Sequence, residues 1–140
     1  MTNWSTGAPY FGGANFNSTT GNYTVPTTGR YSIKATINYS TAGAITLSIG
    51  AGVDPVFNVR RTSPTTTNLL SGLLPILNVS VTLLTLRAIL GSAAVTLAGD
   101  ITLNAGDVIG LFYDADGLAL TLNLGAGTSS GIVWSIHQIT

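Results

Sequence analysis

Arg30-Tyr31-Ser32-Ile33-Lys34-Ala35-Thr36-Ile37-Asn38-Tyr39 alternates polar and apolar residues without interruption. Successive side chains of an extended strand point to opposite faces, so Tyr31, Ile33, Ala35, Ile37 and Tyr39 share one side and the polar residues the other. This is the pattern of an antiparallel strand with one face in a core and one in water. The same alternation recurs in Ile45, Leu47 and Ile49, in Leu118, Leu120, Leu122 and Leu124, and in Ile132, Trp134 and Ile136. Turn residues punctuate the chain at Ala42-Gly43, Gly50 to Pro55, Ser63-Pro64, Ala98-Gly99-Asp100, Asn104 to Asp107, Asp114 to Gly117 and Gly125 to Gly127. Signals spaced by about 8 to 12 residues point to a sandwich or jelly roll. Only Asn68 to Ile76 is expected to hold a short helical turn.

The composition narrows the function. Charged residues make up 7% of the 140 residues, where about 25% is usual, and Thr, Ser, Asn and Gly take their place. A mean hydropathy of +0.44 with zero net charge excludes a disordered chain. A folded chain of 14.3 kDa exposes about 6,800 Å² against about 20,700 Å² unfolded, enough burial for one domain spanning residues 1–140. Five Lys plus Arg balance five Asp, and only Arg60 and Arg61 are adjacent. Neither a nucleic-acid partner nor a polybasic membrane contact is expected, since both need clustered cations. The chain has no Cys, which excludes thiol chemistry and a disulfide scaffold. Met1 to Gly7 has neither the basic start nor the apolar run of a secretory signal. Leu69 to Leu90 has the length of a membrane span, but Pro75, Asn78, Ser80 and Arg87 interrupt it, so two strands and a turn are expected and no membrane insertion.

Val79 to Leu90 and Val108 to Tyr113 break the alternation by being apolar on both faces. In a small sandwich each sheet has one inner face, so the second dry face must meet another chain or a covering loop. Val79, Val81, Leu83, Leu84, Leu86, Leu111 and Tyr113 are therefore the expected oligomer interface, closed symmetric homo-oligomers being the usual solution.

Asn17 to Ile33 (NSTTGNYTVPTTGRYSI) resembles the signature of C1q-like domains, in which Thr-Gly precedes an aromatic, a Pro, and a Gly-x-Tyr that opens a long strand. Thr20-Gly21, Tyr23, Pro26, Gly29 and Tyr31 occupy those positions. Leu103 to Leu111, with Gly106-Asp107, resembles the family's apolar-x-x-Gly-Asp strand start, and Ser130-Gly131-Ile132-Val133 its terminal strand. Residues Pro64 to Ala94 are more apolar than in vertebrate members, and Ile33 stands where an aromatic is common. The texture is similar to the C-terminal heads of bacterial collagen-like spore-surface and exosporium filament proteins. The resemblance implies an all-β antiparallel jelly roll of about ten strands, assembled as a homotrimer about an apolar axis. It implies an extracellular structural, adhesive or recognition role on a cell or spore surface, with no catalysis. No Gly-x-y repeat lies in these residues.

The chemical motifs give little against this. Gly127-Thr-Ser129-Ser-Gly131 has the G-x-S-x-G spacing of serine hydrolases, but an alternating strand follows where a helix is needed, and no acid lies between Ser129 and His137. His137, the only His, falls on the strand face opposite Trp134. Asp114-Ala-Asp116-Gly117 opens like a calcium loop, and Asp114 and Asp116 are the candidate calcium ligands, although the absence of Glu excludes an EF-hand and a tight Asp-Gly turn explains the string equally. Asp107 is expected to cap backbone N–H groups in a turn. Five Asn-x-Ser/Thr strings, at Asn3, Asn17, Asn22, Asn38 and Asn78, follow from composition as readily as from glycosylation. Trp4, Tyr10 and Phe11 are candidates for a glycan platform, or for packing of residues 1–16 on the sandwich or a neighbouring subunit. The alternatives to a structural head are a carbohydrate- or receptor-binding fibre tip, such as a phage fibre, acting through loops 50–55 and 114–117, and a pilus-like subunit polymerising by strand exchange of residues 1–16.

Overall fold

The computed structural model describes residues 1–42, 49–82, 84–128 and 131–140, with the side chains of Leu84 and Thr85 left aside. Among the described residues eleven strands follow in order: β1 (Phe16–Asn17), β2 (Asn22–Thr24), β3 (Gly29–Thr41), β4 (Val56–Ser63), β5 (Thr67–Leu73), β6 (Ile76–Val81), β7 (Leu84–Ile89), β8 (Ser92–Leu103), β9 (Val108–Asp114), β10 (Leu122–Leu124) and β11 (Ile132–Gln138). All pairings are antiparallel. One sheet has the order β1-β2-β9-β4-β5. In the second, β3 is central, with β8 along one edge and β11 then β10 along the other. A third, two-stranded sheet is the hairpin β6–β7. This is a jelly-roll β-sandwich.

The alternation of residues 30–39 sets the core. Tyr31, Ile33, Ile37 and Tyr39 are fully buried and meet Phe57 and Val59 from β4 and Ile109 and Leu111 from β9. Two glycines let the sheets close. A Cβ on Gly72 would lie 2.6 Å from Leu97 and 2.7 Å from Val95, and one on Gly99 would lie 2.7 Å from Leu70. Neither is a turn; each is a strand position over which an opposing side chain lies.

Several expectations are corrected here. Ala98-Gly99-Asp100 is the middle of β8, paired with Lys34, Ile33 and Ser32, since Leu70 needs the space that a side chain would take at Gly99. Asn68 to Ile76 is not helical: pairing with β4 carries it as β5 to Leu73, with Leu74 buried just beyond. Leu69 to Leu90 forms three strands in place of two, because Pro75, between β5 and β6, has no N–H to carry a ladder through. Of the Leu118 to Leu124 alternation only Leu122–Leu124 is strand. The strand expected over Ile45 to Ile49 lies outside the described residues except for Ile49, whose N–H donates to the Arg87 carbonyl at 2.7 Å.

The hydroxyls of Tyr39 and Tyr113 are buried with no hydrogen-bond partner among the described residues. Burial disfavours the phenolate and raises both groups above the usual 10.0, for Tyr113 with help from the Asp114 charge, and burial followed by the Tyr31 charge does the same at Tyr23. Tyr39→Phe removes an unpaired polar atom while keeping the ring, so it is expected to leave stability unchanged or raise it by up to about 1 kcal/mol. A denaturant midpoint more than about 1 kcal/mol lower would mean that the hydroxyl has a partner. The tyrosine shifts also set a pH limit. A phenol whose folded value is raised keeps its proton in the folded state while the unfolded chain gives it up, so stability falls as pH rises past 10.0. At the chain start burial lowers the Met1 ammonium below 8.0, which adds a small gain as pH rises through that value. Thermal melts are expected to be nearly flat from about pH 4 to about pH 9 and to decline above about pH 10; a collapse inside that window would contradict this.

Candidate functional site

Cross-strand partners share a sheet face. In the hairpin, Leu77, Val79 and Val81 with Leu86 and Ala88 fall on one face, and Ile76, Asn78 and Ser80 with Arg87 and Ile89 on the other. The first face is entirely apolar. Ala88 and the base of the hairpin are buried, but Leu77 is 46% and Val81 58% exposed. The polar face turns to the 50–54 loop, where Arg87 donates to the carbonyls of Gly50 (2.7 Å) and Val53 (2.9 Å) and forms an ion pair with Asp54. The hairpin is thus fixed to the sandwich by its polar side and leaves its apolar side to solvent. The chain exposes 7755 Å², above the roughly 6,800 Å² of a compact monomer of this mass.

Of the expected interface residues, Val79, Val81 and Leu86 therefore lie on this face, and the side chain of Leu84 is outside the described part. Leu83 lies outside the described residues. Leu111 and Tyr113 do not belong to the face. Leu111 is 1% exposed between the sheets, and the Tyr113 ring stacks inward on Phe57 at 5.3 Å. The opposite face of β9 is covered within the chain, Phe112 by the Arg60 guanidinium at 5.1 Å and Gly110 by the backbone of Gly21. Leu77, which the sequence reading missed, had a signal in the period-two run Leu77, Val79, Val81.

Asp114 and Asp116 are committed to turn contacts. Asp116 accepts the Asp54 N–H at 2.8 Å, joining loops 50–55 and 114–117. Asp114 accepts the Asp116 N–H at 3.3 Å and pairs with Arg60 at 3.5 Å. Asp116 and Gly117 both have positive φ (45° and 81°), the geometry of a tight Asp-Gly turn. Among the described residues no group of three metal-ligating side chains is found. Asp116→Ala is expected to lower stability by about 0.5–1.5 kcal/mol, one hydrogen bond's worth, with or without chelator; a melting point that falls on chelation would make these residues ligands. Asp107 is buried, accepts the Asn104 N–H at 3.0 Å and pairs with Arg61 at 3.5 Å.

Residues 1–16 lie across the sandwich. The Met1 ammonium donates to the Leu111 carbonyl at 2.7 Å, and Trp4 packs against Phe16 and Trp134 with centroids 6.5 and 6.1 Å away. Phe11 is 91% exposed. His137 is exposed on β11, with Ser32 opposite it in the register. Ser129 lies outside the described residues, and the segment after it is β11, not a helix.

No family model and no curated protein matches the sequence. Among solved structures the chain is similar to the globular domain of zebrafish complement 1qA protein, with a TM-score of 0.53 and 16% identity over 91% of this chain and 75% of that one. It is similar also to the structure of Eiger TNF from S. frugiperda, with a TM-score of 0.56 and 15% identity over 95% of this chain and 72% of that one. The fold is that of C1q/TNF-like jelly rolls.

Proposed function

We propose that the chain is a non-enzymatic trimerising head domain of an extracellular bacterial surface or spore filament protein, assembled through the apolar face of the β6–β7 hairpin. The observation that carries this reading is that face: Leu77, Val79, Val81 and Leu86 side by side, partly or largely exposed, on an element fixed by its opposite side. Contiguous apolar surface of this kind is an interaction site, and a cyclic assembly closes it with copies of itself. The fold shared with C1q and TNF domains supports a head with a threefold arrangement, and the apolar stretch Pro64 to Ala94 with its texture of Thr, Ala, Gly and Leu supports a bacterial surface setting. A surface of Thr and Ser with 7% charged residues stays hydrated without depending on salt. An obligate assembly is stabilised by mass action. The melting temperature is therefore expected to rise over a hundredfold increase in protein concentration; no dependence on concentration would remove the assembly from this reading.

A further inference from the structure

Thr2-Asn3-Trp4-Ser5-Thr6 sets an indole among four hydroxyl or amide side chains, and the fold brings further rings to it. Trp4 meets Phe16 and Trp134, whose own rings lie 5.8 Å apart and inclined by 68°. On this side of the sandwich two hollows of about 360 and 450 Å³ adjoin, with Tyr10, Phe11, Phe16, Val133 and Trp134 as shared walls. Residues 5–13 are in place and form walls, so they shape the hollows without filling them. Small-molecule pockets span roughly 300–1,000 Å³ and combine aromatic walls with a few polar groups.

We propose that these hollows bind a neutral disaccharide unit of a glycan. The rings supply one half of the recognition. The C–H bonds on one face of a pyranose carry partial positive charge and rest on the negative face of an aromatic ring, as the edge of a second ring does. Phe11 is 91% exposed and offers its ring to such a face, and the partly exposed Leu124 and Val133 extend the apolar surface of the first hollow. The polar side chains supply the other half. Asn3, Ser5 and Thr6 line the first hollow and Asn15 and Ser135 the second, and none of these side chains hydrogen-bonds a described residue. The Trp134 indole N–H is likewise without a partner among the described residues, whereas that of Trp4 donates to the Met1 carbonyl at 3.1 Å. Each free group can meet a sugar hydroxyl without giving up an internal bond. A wholly apolar ligand would take water from them and return nothing. Among the described residues no Asp, Lys or Arg lines either hollow, and the Met1 ammonium on the first is held by the Leu111 carbonyl at 2.7 Å. His137, on the second, is the other group there that can carry positive charge. An acidic sugar thus meets no Lys or Arg to offset its desolvation, so the preferred ligand is neutral. Two hollows with common walls take two successive sugars.

The test titrates the full chain with cellobiose, N,N′-diacetylchitobiose and mannobiose, and with N-acetylneuraminic acid as the charged comparison. Binding is read by saturation-transfer NMR and by tryptophan emission, which reports on this site because both Trp of the chain line the first hollow. At least one of the three neutral disaccharides is expected to bind saturably, about fivefold or more tighter than its monosaccharide, with N-acetylneuraminic acid about tenfold or more weaker. Phe11→Ala is expected to weaken that binding about tenfold at an unchanged melting temperature, since the exposed ring supports nothing in the fold, and Phe11→Tyr to retain it. No saturable binding of any of the three, equal binding of N-acetylneuraminic acid, or undiminished binding by Phe11→Ala would each overturn the proposal. A Phe11→Ala chain of lower solution mass would overturn it too, by making the hollows a contact between copies. No described residue of β6 or β7 lines either hollow, so the titration gives the same answer on a Leu77→Asp/Val81→Asp chain, and either proposal can fail without the other.

Discussion

Replacing Leu77 and Val81 together by Asp is expected to convert the assembly into a folded monomer. Both residues lie on the apolar face of the hairpin and are 46% and 58% exposed in the single chain, so the carboxylates are hydrated in the monomer and cost it little. In the assembly they would be taken out of water without a cation to meet them. Burying an unpaired charge costs several kcal/mol, and a threefold arrangement brings copies of the same charge toward one axis. The effect is therefore expected to be all or none at micromolar concentration, with the circular dichroism spectrum unchanged. Ser80→Asp adds the same charge to the opposite, polar face of β6, and its mass is expected to stay that of the wild type. If both variants behave alike, the face assignment is wrong.

Phe57→Ala, made on that monomeric background so that assembly does not mask it, is expected to be the most destabilising single change. Phe57 is fully buried on β4, with the Tyr39 ring 6.5 Å away from the opposite sheet and the Tyr113 ring 5.3 Å away on the neighbouring strand. It is thus one of the largest contacts through which the sheets meet. Truncating a buried Phe costs about 3–5 kcal/mol, since the surroundings close only partly over the cavity. At roughly 3 °C per kcal/mol for a domain of this size, the melting point should fall by about 10–15 °C. A fall below about 3 °C would mean that the sheets are not joined there.

The parts of the fold legible in the sequence are those where one face is wet. β3 and β11 announce themselves because Lys34, Thr36 and Asn38, or Val133 and His137, point outward between inward residues. β8 was hidden by Ala98-Gly99-Asp100, a string that serves turns and crowded strands equally. Only the opposing Leu70 side chain decides between them, and that is a contact remote in sequence. The two-faced apolar stretches are expected from composition to need two dry surfaces, and the structure treats them differently. For β9 the second face is covered by Arg60 and the short β1–β2 segment of the same chain. In Val79 to Leu90 the excess of apolar residues belongs to two arms of a hairpin, of which one face packs and one does not. Composition gives both stretches the same reading because it does not specify which neighbours the topology brings. The aromatic cluster beside β11 was visible only as scattered Trp4, Tyr10 and Phe11, because Trp4 meets Phe16 and Trp134 only in the folded chain.

Solution mass by light scattering is the most direct test of assembly through the hairpin. A species near 43 kDa, three times 14.3 kDa, unchanged by a calcium chelator and reduced to one third by the Leu77→Asp/Val81→Asp pair, is the expected result. A wild-type chain that scatters as a monomer at high concentration would contradict it.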